Sequence, residues 1–181
     1  NADLTPMADG STVMTYVRME GGVNDVVVAR RASGSSSWST FQTTHEGTLS
    51  VNSPQVSTNE NGDLAVVWRS EVSGDVGIRM RRYDAEGDNW SGVSEPLTPT
   101  AGTRDIAGAI TGDGTTVITW ADGDINVNGS GQPTTENSIW ATSTPASSFS
   151  WVTPERLTAA SGTATIIPIP TADNDNNVVL T

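Results

Sequence analysis

Short β-branched runs recur along the chain, each flanked by Gly, Asp, Asn or Ser: Val26–Val28, Leu64–Trp68, Thr116–Trp120 and Val178–Leu180. Around them apolar and polar positions alternate, which is the period of a strand with one buried face. No stretch keeps apolar residues at i, i+3, i+4 and i+7 long enough to propose a helix, so the chain reads as all-β. Turn pairs separate the runs at Asp9-Gly10, Asn61-Gly62 and Asp113-Gly114, each 52 positions after the last. Each pair leads into a run that ends in an aromatic residue, Tyr16, Trp68 and Trp120, again 52 apart. A repeating block of this length must stack on its neighbours to bury its faces.

A second aromatic series, Trp38, Trp90 and Trp151, is spaced 52 and then 61, so the third unit holds nine extra residues. Before this second Trp each unit has a third strand, with Arg30 and Arg82 in register, and after it a short fourth strand ending in EGTLS, EPLT or ERLT. A fourth unit starts with Asp175-Asn176 in the turn position and Val178–Leu180 opening the next strand. Four strands per period is the requirement of a propeller blade, a twisted antiparallel sheet buried on both faces. A tandem of β-sandwiches would need roughly seven strands and about 100 residues per unit. The chain is therefore expected to be a β-propeller segment of about three and a half four-stranded antiparallel blades. They span 1–52, 53–104, 105–164 with an insertion at 121–137, and 165–181 as the first two strands of a fourth blade. Tyr16, Trp68, Trp120, Trp38, Trp90 and Trp151 are read as packing aromatics between sheets.

Charge narrows the partners. Acidic residues number 21 against 9 basic ones, giving a net charge of -12, and every basic residue is Arg. Binding of phosphate backbones and anionic lipid relies on basic side chains, so nucleic acid and membrane surfaces are set aside. There is no run of 18 apolar residues, no signal peptide at the start of this chain, and no Cys for disulfides or thiolate chemistry. The acidic, Lys-free surface suits an extracellular or cell-surface life.

The segment from Leu64 to Trp90 resembles repeats of large secreted bacterial proteins, whose blades read as a V-V-W strand, a Gly/Asp turn and a strand ending in R-[RF]-[YF]-D-A-x-G. Its turn from Asp84 to Trp90 is also similar to the Asp box of sialidase-type propellers, S-x-D-x-G-x-x-W. Gly87 and Trp90 match the box, while Ala85 stands where the Asp belongs; Ser35–Trp38 and Ser148–Trp151 keep only the Trp. The resemblance implies the blade fold across most of the chain. Sialidases hold the substrate carboxylate with an arginine cluster and use a Tyr nucleophile with a Glu, and an Asp acid/base. Arg18, Arg69 and Arg104 are the candidate ligand-binding residues, with Tyr16, Tyr83, Glu71 and Asp105 of matching type, but none lies in a motif that gives it a role.

The insertion holds the most specific local motif. Asp124, Asn126, Asn128 and Gly129 fit the D-x-[DN]-x-[DN]-G start of a calcium loop, where alternate oxygens converge on a hard cation. Asp122 precedes it and Glu136 follows one residue beyond the usual bidentate position. Calcium is the only cofactor expectation, with a solvated loop as the other reading; Asp173, Asn174, Asp175 and Asn177 form a weaker second candidate. His45, the only histidine, belongs to a loop or short edge strand and builds no metal site alone. Asn89-Trp90-Ser91 and Asn128-Gly129-Ser130 fit the glycosylation sequon.

No catalytic constellation emerges, and propellers host binders and enzymes alike. The expectation is a binding or structural module that presents loops to glycan or protein. The alternative is part of a propeller glycoside hydrolase, sialidase-like, or of a polysaccharide lyase. Further blades of the same protein or further copies are expected to cover the open sheet edge.

Overall fold

The computed structural model describes residues 2–47, 50–72, 75–95, 103–127, 133–159, 169–173 and 175–181, and of residues 72, 75, 103–104, 122–127, 133–137 and 158–159 the backbone alone. Among the described residues every regular element is a strand. β1 (Ala2–Pro6), β2 (Thr12–Glu20), β3 (Val23–Arg31) and β4 (Ser39–His45) form the first antiparallel sheet in chain order. β5 (Ser50–Thr58), β6 (Leu64–Val72), β7 (Asp75–Asp84) and β8 (Asn89–Trp90) form the second. β9 (Thr103–Ile110), β10 (Thr116–Val127), β11 (Pro133–Thr144) and β12 (Glu155–Ala159) form the third, and β13 (Pro170–Ala172) pairs with β14 (Val178–Leu180).

The first strand of each sheet packs on the first strand of the next, β1 on β5, β5 on β9 and β9 on β13, so the sheets radiate from a common axis. The Val56 N–H donates across this inner ring to Asp3 Oδ2 at 2.9 Å. The sheets start with these inner strands, so the second begins at Ser50 and the third at Thr103, slightly ahead of the boundaries counted from the turn pairs.

The turn glycines explain the period. Gly10, Gly62 and Gly114 have φ of 78°, 85° and 79°, a left-handed conformation that costs Gly nothing, and Asn176 takes φ 65° in the fourth turn. Each closes the same turn through its N–H: Gly10 to Met7 O at 3.0 Å, Gly62 to Asn59 O at 3.2 Å, Gly114 to Thr111 O at 2.9 Å and Asn176 to Asp173 O at 3.3 Å.

The core lies between the sheets. Val13, Val26 and Val28 of the first sheet pack with Val56, Leu64, Val66 and Trp68 of the second. Val67, Ile78 and Met80 on the opposite face of the second pack with Ile106, Ile118 and Trp120 of the third. The strand period of two sends alternate residues to opposite junctions, so Val66 and Val67 serve different cores.

The repeat differs in detail from its expected form. Trp68 is fully buried and Trp120 nearly so, but Tyr16 is only half-buried. Trp90 joins Phe41 and Tyr83 in an aromatic cluster with centroids 4.8–5.4 Å apart, and Trp151 packs at the edge of the second core. Trp38 is exposed instead of packed between sheets; it lies in the β3–β4 turn with the Arg31 guanidinium 5.2 Å from its ring centre. β4 ends at His45, before the EGTLS segment, because Glu46 turns inward to a partner in the second sheet. The third-sheet insertion is not a free loop: β10 and β11 pair continuously from Thr116↔Thr144 to Val127↔Pro133, lengthening the hairpin.

Candidate functional site

The inner strands line an axial cavity of about 370 Å³. Apart from Asp3 its walls are uncharged, with Thr5 of β1, Gln55 and Ser57 of β5, Gly108 of β9 and Thr171 of β13 among them. Gly108 is required by packing, since a Cβ there would stand 3.0 Å from Val67 Cγ1. Two residues before Gln55 and Ala107, the inner strands bulge at Ser53 (φ 51°) and Asp105 (φ 39°), 52 positions apart. A left-handed conformation in a non-Gly strand residue stores strain of about 1 kcal/mol or more and re-aims the chain.

A second cavity of about 450 Å³ opens between the second and third sheets at the end where the β5–β6, β7–β8, β9–β10 and β11–β12 turns gather. Its floor is Arg82, which is buried without a carboxylate partner among the described residues. The guanidinium instead donates to Pro145 O at 2.7 Å, to Gly114 O at 3.5 Å and to Ser148 O, and stands 4.6 Å from the Phe149 ring centre. Burial lowers its pKa from the ordinary arginine value. Phe149 keeps substantial exposure, and Asn89, Ser91, Asp63 and Asp84 complete the wall.

Asp84 answers the Ala85 mismatch. Its Oδ1 accepts the Glu86 and Gly87 N–H groups, both at 3.1 Å, and its Oδ2 accepts Asn89 Nδ2 at 3.3 Å. The carboxylate that closes this turn thus comes one residue earlier than in the box. Tyr83 donates to Asp88 Oδ1 at 2.7 Å; burial, then that bond, pushes its pKa up to about 12.

Of the arginines singled out from sequence, Arg18 lies in the first sheet and Arg69 in the second. Arg18 donates to Asp25 Oδ2 at 2.7 Å, and Asp25 Oδ1 meets His45 Nδ1 at 2.7 Å, a row across β2, β3 and β4. The Arg18 guanidinium beside Asp25, aided by His45, holds its carboxyl below the usual carboxylate range. Arg69 lies on β6 with Nη2 3.8 Å from Glu71 and a buried Nε without a hydrogen-bond acceptor. Neither Arg18 nor Arg69 lines either cavity, and the Arg104 side chain falls outside the described residues.

The calcium candidates have a backbone placement only. Asp122, Asp124 and Asn126 lie at alternate positions of β10, and the register sets Asp124 opposite Glu136 of β11, so all four share one face of the hairpin. Their side chains, and Asn128 altogether, lie outside the described residues, as does Asn174 of the second candidate. There, Asp173 accepts the backbone N–H groups of Asp175 and Asn177 and so caps its own turn.

A buried group that sequence reasoning passed over is Glu46. Its Oε2 accepts Arg79 Nη1 at 2.5 Å, and Arg79 Nη2 reaches Glu95 at 2.5 Å. Burial raises the Glu46 pKa, opposed by Arg79 and by the Trp68 indole N–H, which approaches without closing a hydrogen bond of normal geometry. Strand alternation alone puts Arg79 and Arg82 on opposite faces of β7, without giving the partner of either.

Radial sheets, inner strands around one axis and turn-linked neighbours decide the fold. It is a β-propeller segment. Among solved structures it is similar to that of Penicillium chrysogenum α-L-arabinanase complexed with arabinobiose, with a TM-score of 0.62 at 15% identity. The match covers all of this chain and 58% of that one, so the chain spans somewhat over half the length of the enzyme it resembles. No protein-family model matches the chain, and no curated protein sequence does.

Proposed function

We propose that this propeller segment is a glycan-binding module displayed outside the cell, with its ligand in the cavity between the second and third blades. The observation that carries this reading is the meeting of an exposed aromatic ring, Phe149, with the hydrogen-bonding groups of Asn89, Ser91 and Asp63 in one concave site. A sugar ring presents C–H bonds on its faces and hydroxyls at its edge, and so asks for an apolar plate beside fixed polar groups. Arg82 fixes that plate from below. Arabinobiose, the sugar in the arabinanase complex, is the first probe, followed by a glycan array. Calorimetric binding is expected, lost in Phe149→Leu at an unchanged melting temperature. An array without hits, or binding indifferent to Phe149→Leu, would overturn the proposal.

A second reading, part of a propeller glycoside hydrolase or polysaccharide lyase, is favoured by the strained Asp105 in an inner strand. Against it, Asp3 is the one carboxylate lining the axial cavity among the described residues, and it accepts the Val56 N–H. Sugar release or an unsaturated product from arabinan or other polysaccharides, abolished by Asp105→Asn, would establish an enzyme. Calcium on the β10–β11 hairpin belongs to the proposal through the shared face of Asp122, Asp124, Asn126 and Glu136. A rise in melting temperature in millimolar calcium, reversed by EDTA and absent in Asp124→Asn, tests it.

A further inference from the structure

We infer that the cavity between the second and third blades takes an acidic sugar, whose carboxylate meets the guanidinium of Arg82 at the cavity floor. This names the ligand class of the glycan site proposed above and rests on that reading.

Arg82 is 8% exposed and lines the cavity, yet none of the described carboxylates pairs with it. The residues outside the described ones contain no Asp or Glu, so all 21 acids have a placed backbone. For Asp75, Asp122, Asp124 and Glu136 that backbone alone is described, and it stands at the far ends of the strands. Asp75 pairs with Val72, Asp122 with Ser138 and Asp124 with Glu136, whereas Arg82 pairs with Ala65 and its acceptor Gly114 lies in the turn before β10. Roughly 20 Å of strand separates them from the guanidinium. The missing counter-ion is therefore a property of the whole chain.

One period earlier the same arginine is neutralised within its own sheet. Arg30 Nη2 meets Asp9 Oδ2 at 2.5 Å, and Arg30 Nε donates to Ser11 Oγ at 3.1 Å. One period after Asp9 stands Asn61, an amide that donates to Gly112 O at 2.8 Å. One period after Ser11 stands Asp63, whose two oxygens accept the Ala85 N–H at 3.0 Å and Asn59 Nδ2 at 2.9 Å. Asp84, the other carboxylate on the cavity wall, is held by its own turn. The second blade keeps the arginine and gives up its acid. Arg81 also lacks an acid among the described residues, but it is half-buried and lines neither cavity.

A buried charge calls for a counter-charge or a full set of hydrogen bonds. Pro145 O and Gly114 O take Nη1 and Ser148 O takes Nη2, while Nε–H meets no acceptor among the described residues. Nε shares one edge of the guanidinium with Nη2, the edge on which a planar carboxylate docks side-on. Burial already disfavours the charged form of Arg82, and an anion brought by a ligand would relieve that. A uronic acid combines the three features the cavity addresses: an apolar ring face for Phe149, hydroxyls for Asn89 and Ser91, and a carboxylate for Arg82.

An array of galacturonate and glucuronate oligosaccharides, their methyl esters and neutral glycans tests this, since esterification removes the charge and keeps the ring. By calorimetry at low salt the free acids should bind at least about tenfold tighter than their esters, and the advantage should shrink in high salt. In the nitrogen-labelled protein the Arg82 Nε–H resonance should shift with the free acid and much less with the ester, a readout that needs no variant and is therefore independent of stability. Esters that bind as tightly as the acids, or an Arg82 resonance that moves alike with both, would overturn the inference. Binding of neutral glycans alone, lost in Phe149→Leu, would overturn it and leave the glycan site standing; an array without hits would overturn both.

Discussion

The junction between the first and second blades and that between the second and third bury the same kind of apolar ladder, yet seal their charged edges by opposite means. At the first, the cation of Arg79 is shared between the buried carboxylate of Glu46 and the exposed one of Glu95. At the second, Arg82 has no acid among the described residues and is solvated by the carbonyls of Pro145, Gly114 and Ser148 and the face of Phe149. An ion pair titrates and carbonyl dipoles do not, so two junctions of one repeat differ in their response to pH. The apolar term is common to both, which makes it the scaffold; the polar term is where each junction takes its individual character.

The largest break in this comparison is at the shared term. Trp68→Ala opens a cavity in a fully enclosed site and should cost about 3–5 kcal/mol in equilibrium denaturation. Tyr16→Ala, one period earlier on the half-open face, should cost roughly 1 kcal/mol or less. Equal losses would show that the aromatic series acts within each sheet and not between sheets.

The charged seals come next. Arg79→Leu leaves Glu46 buried beside no cation, and because the Arg79 side chain keeps 23% exposure the loss should be about 2–3 kcal/mol at pH 7. Acid should return part of it, since a protonated Glu46 no longer needs the cation. Arg82→Met strips donors from several carbonyls and should cost roughly 2 kcal/mol, with the same loss at pH 4 and pH 7. A pH-dependent loss in Arg82→Met would end the distinction between the two seals.

How much of this was legible beforehand divides along the same line. The period, the turn glycines and the burial of Trp68 and Trp120 follow from local rules: a left-handed turn needs Gly or Asn, and a half-buried strand alternates. The seals depend on which residue of the next blade lies opposite, and a sequence period does not contain that. Arg30 and Arg82 are in register, yet Arg30 binds Asp9 of its own sheet while Arg82 reaches the third. Trp38 looked equivalent to Trp90, but Arg31 holds it at the surface where Tyr83 draws Trp90 inward. The insertion read as a loop from its Asn and Gly content, whereas strand pairing with 133–138 overrides that local preference. Of the proposed site, the Asp84 turn was visible through its likeness to the Asp box; Phe149 and Arg82 met only through the fold.

The finest test of the comparison is a pH profile that sets Glu46 of the first junction against Asp25, a carboxylate on the opposite face of the first sheet that is shifted the other way. Asp25 is held low by Arg18, so its stabilisation is present above the ordinary aspartate pKa and lost as pH falls through its depressed folded value. Glu46 is raised by burial, so its contribution is complete below the ordinary glutamate pKa and lost as pH rises through its elevated folded value. Melting temperature should therefore fall on both sides of a maximum in the acidic range. Asp25→Asn should flatten the acid limb alone, converging with the parent protein at the lowest pH. Glu46→Gln should flatten the limb towards neutrality alone. Because the Arg18 side chain keeps 39% exposure and that of His45 74%, the Asp25 effect should be the smaller of the two and shrink further in high salt. A single variant that flattened both limbs would mean the two carboxylates titrate as one network through the first sheet, and the seal would then be a property of that sheet and not of the Glu46 pair.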